Sequence, residues 1–121
     1  MVGASVFYDV LELAGDEPIV IEAEIELLKT GDGGRHTPIE SFYRPNHNFG
    51  DERNNVFYIG QIDLRDGNQL FPGKKTIATV TFMNVVGLKE KLFEGCSWRL
   101  QEGNRLIGFW RILYVLSLIH I

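Results

Sequence analysis

Cysteine is almost absent. Cys96 stands alone among 121 residues, which excludes an intramolecular disulfide framework and a cysteine-based zinc cluster and leads us to expect a reducing, cytoplasmic setting. Basic residues are also in deficit, 12 Lys and Arg against 16 Asp and Glu for a formal charge of −4. That balance is wrong for a general phosphate binder, which needs a surplus of cations on one face. Long apolar runs are missing: none reaches the ~18 residues of a membrane span. The opening Met1-Val2-Gly3-Ala4-Ser5 also lacks the charged start and apolar stretch of a secretory signal. No membrane association is expected.

What the chain does have is apolar bulk and glycine. Hydrophobic residues at 45%, aromatics at 12% and 13 glycines describe a folded domain with many tight turns. The length fits one domain with a real core. From Ile19 to Leu28 apolar residues occupy 19, 21, 23, 25 and 27, with Glu22, Glu24 and Glu26 between them, the alternation of a strand with one buried face. Thr30-Gly31-Asp32-Gly33-Gly34 ends it, and a loop or hairpin follows through Pro38 and Pro45. Further strands are predicted over 56–64 and 76–86. A hairpin is predicted from 98–101 and 106–112, joined by Glu102-Gly103-Asn104-Arg105. Val6 to Leu13 adds a candidate strand, and Leu88 to Phe93 is the one candidate helical turn. Short strands at regular spacing with glycine turns predict an all-β fold, a small closed Greek-key β-barrel of about six strands. The expected division is an N-terminal strand or extension at 1–18, the barrel at 19–115 and an apolar tail at 116–121. The hydrophobic stretch from Leu113 onward has three readings: a last strand, a partner-facing edge, or a non-native extension.

Catalytic constellations are weak. His36, His47, Asp51 and Glu52 are residue types that suit zinc or iron, but their spacing is not diagnostic, so neither a metal nor another cofactor is expected. Gly67 to Thr76 superficially resembles a phosphate-binding loop, yet its glycine spacing is one residue too long and Lys75 stands where Ser or Thr must reach magnesium. Cys96 beside Trp98 lacks any nucleophile signature and reads as packing. An enzyme is not expected. Phe42, Tyr43, Phe49, Phe57 and Tyr58 could stack on bases if exposed, but in the strands of a small barrel most of them should be core.

The most informative stretch is Gly33-Gly34-Arg35-His36-Thr37-Pro38, followed by Tyr43-Arg44-Pro45. With the Pro72-Gly73 turn before a long strand and the hairpin Gln101-Glu102-Gly103-Asn104-Arg105-Leu106-Ile107-Gly108, these motifs resemble the third, C-terminal β-barrel domain of elongation factor Tu. Their order and spacing agree over about three quarters of the chain, Ile21 to Ile112. The resemblance implies the barrel as a stand-alone, non-catalytic binding module in translation. In that family the barrel contacts the T stem of tRNA and protein partners.

Carried over by position, the family's RNA-proximal residues become Arg35, His36, Asn46, Ile59, Glu102 and Gly103, and Thr37 and Arg44 complete the two motifs. Asn46 is a shorter amide than the family's Gln, and Ile59 replaces a hydroxyl. The segment between Pro45 and Gly60 is longer and adds Asp51 and Glu52, which repel phosphate. These departures turn the expectation toward a protein partner, with tRNA as the family-implied second. The residues themselves leave Arg35 balanced between gripping an anion and fixing its loop. His36 is expected to bond to loop carbonyls. Two other classes stay open: a small-molecule pocket at the barrel mouth around Arg35, His36 and Arg44, and a homodimer through the C-terminal strand.

Overall fold

A computed structural model describes residues 13–54, 56–65 and 67–115, with the side chains of residues 114 and 115 excepted. Eight strands form: β1 (Ile19–Leu27), β2 (Ile39–Glu40), β3 (Asn46–Asn48), β4 (Tyr58–Leu64), β5 (Gln69–Leu70), β6 (Lys75–Phe82), β7 (Ser97–Glu102) and β8 (Arg105–Val115). Six of them close a barrel in the order β1-β6-β4-β3-β7-β8, every pairing antiparallel, while β2 and β5 make a separate two-stranded sheet. The expected all-β, closed six-stranded barrel is therefore what forms. Among the described residues there is no α-helix, only 3₁₀ turns at Thr30–Asp32 and Lys89–Lys91, and no helix long and apolar enough to cross a membrane. Residues 6–12 of the predicted first strand and the tail 116–121 lie outside the described residues. Leu13 makes a single bridge to Val85.

Alternation decides which face goes inward. Ile19, Ile21, Ala23, Ile25 and Leu27 of β1 are all buried, and its glutamates line the outer wall. Opposite them Ala78, Val80 and Phe82 of β6 are buried too. Each fully buried large aliphatic side chain contributes roughly 1.5–3 kcal/mol, and this inward set joins Ile62, Leu64, Trp98, Leu100, Trp110 and Ile112 in one core. β8 must reach both β1 and β7, and it does so with one extra residue opposite Glu22/Ala23 and another opposite Leu100/Gln101. Such bulges increase local twist, which helps a small sheet close.

Two predicted elements differ in detail. The strand expected over 76–86 stops at Phe82, because continuing the alternation would aim Asn84 at the core. Instead Val85 N–H donates to Met83 O (3.0 Å) and Val85 is brought inside. The stretch through Pro38 and Pro45 is no simple hairpin: Ile39 and Glu40 pair with Leu70 and Gln69, some thirty residues away.

A histidine organises the centre of the core. His47 is fully buried, its Nδ1 accepts from Trp98 Nε1–H (2.9 Å) and its Nε2 faces Gly60 O at 3.2 Å. Since Nδ1 accepts, Nε2 holds the proton and donates to that carbonyl. Phe82 packs edge-on against the ring at 4.9 Å between centroids. Gly60 makes the space, for a Cβ there would lie 2.7 Å from the Phe82 ring and 2.8 Å from Val80. Burial pushes the imidazole down to about 3, so it stays neutral at ordinary pH.

Candidate binding surface

The loop holding the first motif is fixed by its own backbone. After the 3₁₀ turn Thr30–Asp32, Gly33 takes φ 95°, and Gly34 packs so closely that a Cβ would stand 2.3 Å from Leu28 O. Only glycine fits both demands. Arg105, on the first residue of β8, then donates to Gly33 O (3.2 Å) and Gly34 O (2.5 Å). The loop is thereby tied to the β7–β8 hairpin.

Arg35 completes that tie. Its Nε donates to Thr37 O (3.1 Å), and Nη2 donates to Thr37 Oγ1 (3.1 Å) and Pro38 O (3.2 Å). Nη1 donates to Tyr43 Oη (3.3 Å) and pairs with Glu102. Tyr43 O–H donates to the same carboxylate oxygen of Glu102, and the guanidinium lies 5.3 Å from the Tyr43 ring centre. The two side chains of the ion pair are 20% and 30% exposed. Burial, reinforced by Glu102, pushes the Tyr43 hydroxyl well above its usual range, so it remains a proton donor.

Every nitrogen of Arg35 is therefore used inside the protein, and a ligand could take it only by displacing Glu102 or the loop carbonyls. His36, expected to bond to those carbonyls, is exposed and makes no hydrogen bond among the described residues. Arg35 has taken the acceptors instead. Thr37 is exposed as the partner of Arg35, and Gly103 at the hairpin tip accepts from Gln101 Nε2 (3.0 Å).

The second motif leads into β3, where Asn46 stands opposite Ile59 on one side and Gln101 on the other. The register thus puts Asn46, Ile59 and Gln101 side by side, with Glu102 the next residue along β7. Gln101 is buried and accepts from Asn48 Nδ2 (2.7 Å) and Arg99 Nε (3.1 Å). Asn48 in turn accepts from Gly50 N–H (2.8 Å) and Asn54 Nδ2 (2.7 Å), and donates to Asp51 O (2.9 Å). This network pins the longer segment after β3, while its Asp51 and Glu52 side chains stay exposed.

Arg44 differs from Arg35. Its Nε and Nη2 both donate to Gln61 Oε1, at 2.9 and 2.7 Å, and among the described residues Nη1 has no partner. A neutral amide thus holds the guanidinium across the outer wall without cancelling its charge. Beside it lies a depression of about 280 Å³ lined by Pro18, Ile59, Gln61, Thr81 and Met83. Ile59 is 44% exposed and Met83 65%, so both apolar side chains line the depression from its open face. A second, smaller depression shares Pro18 and Met83 and extends to Leu13 and Asp16.

Arg35, Tyr43, Glu102 and Thr37 therefore form one cluster with Gly103 beside it. Arg44 belongs to another depression, and His36 joins neither. The Ile59–Met83 groove escaped sequence reasoning because alternation marks each residue only as outward-facing, and their meeting in one depression depends on β4 lying beside β6. Phe42 escaped it as well: it is 67% exposed with φ 72°, whereas the pattern groups it with core aromatics. A bulky residue there is a genuine outlier. It is held by Phe42 N–H to Ile62 O (2.6 Å) and by Tyr43 O accepting from Ile62 N–H (3.0 Å), and no sequence signal marks it. Among the described residues no group of three or more His, Cys, Asp or Glu is placed to hold a metal. No family model matches the chain.

Proposed function

We propose that this chain is a non-catalytic binding barrel, resembling the third domain of elongation factor Tu, that docks a protein partner in the cytoplasm through the groove between Arg44 and Met83. The observation behind this reading is that Ile59 and Met83 stay exposed in a depression edged by an arginine with no carboxylate partner among the described residues. An exposed apolar patch rimmed by polar groups is one mark of an interaction site. The alternative partner, tRNA, has less support here: the arginine of the first motif is tied to Glu102, and Ile59 offers no hydrogen bond to ribose or base.

The test is a pull-down from cell extract with and without RNase, comparing the native chain with Ile59→Asp/Met83→Asp. Both sites are outward-facing, so the double variant should fold. An RNase-resistant protein recovered by the native chain and lost with the variant supports the reading. Recovery of RNase-sensitive tRNA by both proteins overturns it in favour of RNA.

A further inference from the structure

Deepening the protein-partner reading, on which it rests, we infer that the groove accepts an extended acidic-aliphatic peptide segment: a carboxylate on Arg44 next to an aliphatic side chain seated on Ile59 and Met83. Among the described arginines Arg44 and Arg99 each donate to a glutamine side-chain oxygen, and of the two only Arg44 lines this groove. Arg35 is paired with Glu102, Arg65 with Glu22 and Arg111 with Glu24 (3.8 Å). Arg105 is turned onto the Gly33 and Gly34 carbonyls. Arg44 is oriented by Gln61 Oε1, so its position is fixed while its full charge and its Nη1 donors remain available.

A guanidinium pre-oriented in this way loses little freedom on gripping a carboxylate, and its planar fork suits one. Phosphate shares that charge, but the surroundings disfavour it. Between Arg44 and the far end of the trough the lining is Pro18, Ile59, Thr81 and Met83, an apolar seat with no second cation. Asp16 closes the far end and repels a second anion. The complement is one carboxylate at the Arg44 end and an aliphatic side chain within a residue or two of it.

The experiment selects a random dodecapeptide library displayed on phage against the purified chain, then measures the chosen peptides by fluorescence anisotropy. Selected peptides should place Asp or Glu within two residues of Leu, Ile, Val or Met, and Arg44→Gln should weaken them at least tenfold, as should amidation of the acid. Ile59→Asp should abolish binding. Peptides that bind through Ile59 without an acid, and are unaffected by Arg44→Gln, would overturn the acidic specificity while leaving protein docking intact. Failure to select any peptide, together with anisotropy showing tRNA bound and released by Arg44→Gln, would overturn both readings.

Discussion

Each of the two motif regions carries an arginine and a histidine, and the fold assigns them opposite duties. In the first, Arg35 is consumed by Thr37, Pro38, Tyr43 and Glu102, while His36 stands exposed and unbonded. In the second, His47 is consumed in the core by Trp98 and Gly60, while Arg44 keeps its charge on the outer wall. What separates the structural member from the available one is not residue type. It is whether burial supplies an acceptor that the side chain alone can satisfy.

The largest expected effect follows from His47. Its folded pKa is lowered to about 3 from an ordinary 6.5, so the unfolded chain takes up a proton first as pH falls. Stability from this group is fully present above about pH 6.5 and is lost toward pH 3, by about 1.4 kcal/mol per pH unit within that window. Urea unfolding at pH 7, 6 and 5 should show the decline. His47→Leu is less stable at pH 7, because Trp98 Nε1 loses its acceptor, but the His47 share of the slope should vanish. An unchanged slope would mean the acid sensitivity comes from carboxylates elsewhere.

Next in size is the clamp. Arg35→Ala strands Glu102 in a partly buried site and leaves Arg105 as the loop's tie to the hairpin, and a loss of about 2–3 kcal/mol is expected. Glu102→Gln should cost less, since the amide still accepts from Tyr43 and Arg35. Thermal melting ranks the two variants. If Arg35→Ala melts like the native chain, the clamp contributes little and Arg35 returns as a ligand-binding candidate.

How much of this was legible before the structure differs between backbone and site. The alternation of Ile19 to Leu27 and the glycines after it specified β1 and its turn, because a period of two has one inward solution once a core exists. The closed barrel followed from the number and spacing of such strands. Pairing of Ile39 with Leu70 was not legible, since nothing local in a two-residue strand names a partner so far along the chain. In the site, the motif identified Arg35 but could not say that Glu102, 67 positions away, would neutralise it. The groove depended on β4 pairing with β6, which sets Gly60 opposite Phe82 and brings Ile59 beside Met83, and no local pattern names that pairing.

Phe42 offers a smaller test of the same contrast between structure and availability. With φ 72° it holds a conformation that costs a non-glycine residue roughly 1–2 kcal/mol, partly offset for glycine by its greater unfolded-state freedom. Phe42→Gly should therefore be neutral to stabilising by about 1 kcal/mol in urea unfolding. Destabilisation would show that the exposed ring packs more than its solvent exposure implies.

The smallest effect is the sharpest check on the opening comparison. His36→Ala and Arg44→Gln remove exposed members of the motifs, Arg44 being held only by the Gln61 amide on the outer wall, so neither leaves a buried group without a partner. Each should change unfolding free energy by no more than about 0.5 kcal/mol, against the larger losses from their sequence neighbours. Arg44→Gln should nonetheless weaken an acidic peptide, because only its spare charge is removed and the groove wall formed by Ile59 and Met83 is untouched. A variant that loses stability instead would place Arg44 with Arg35 as a tether, and the availability of its charge would then be a by-product of holding Gln61 in place.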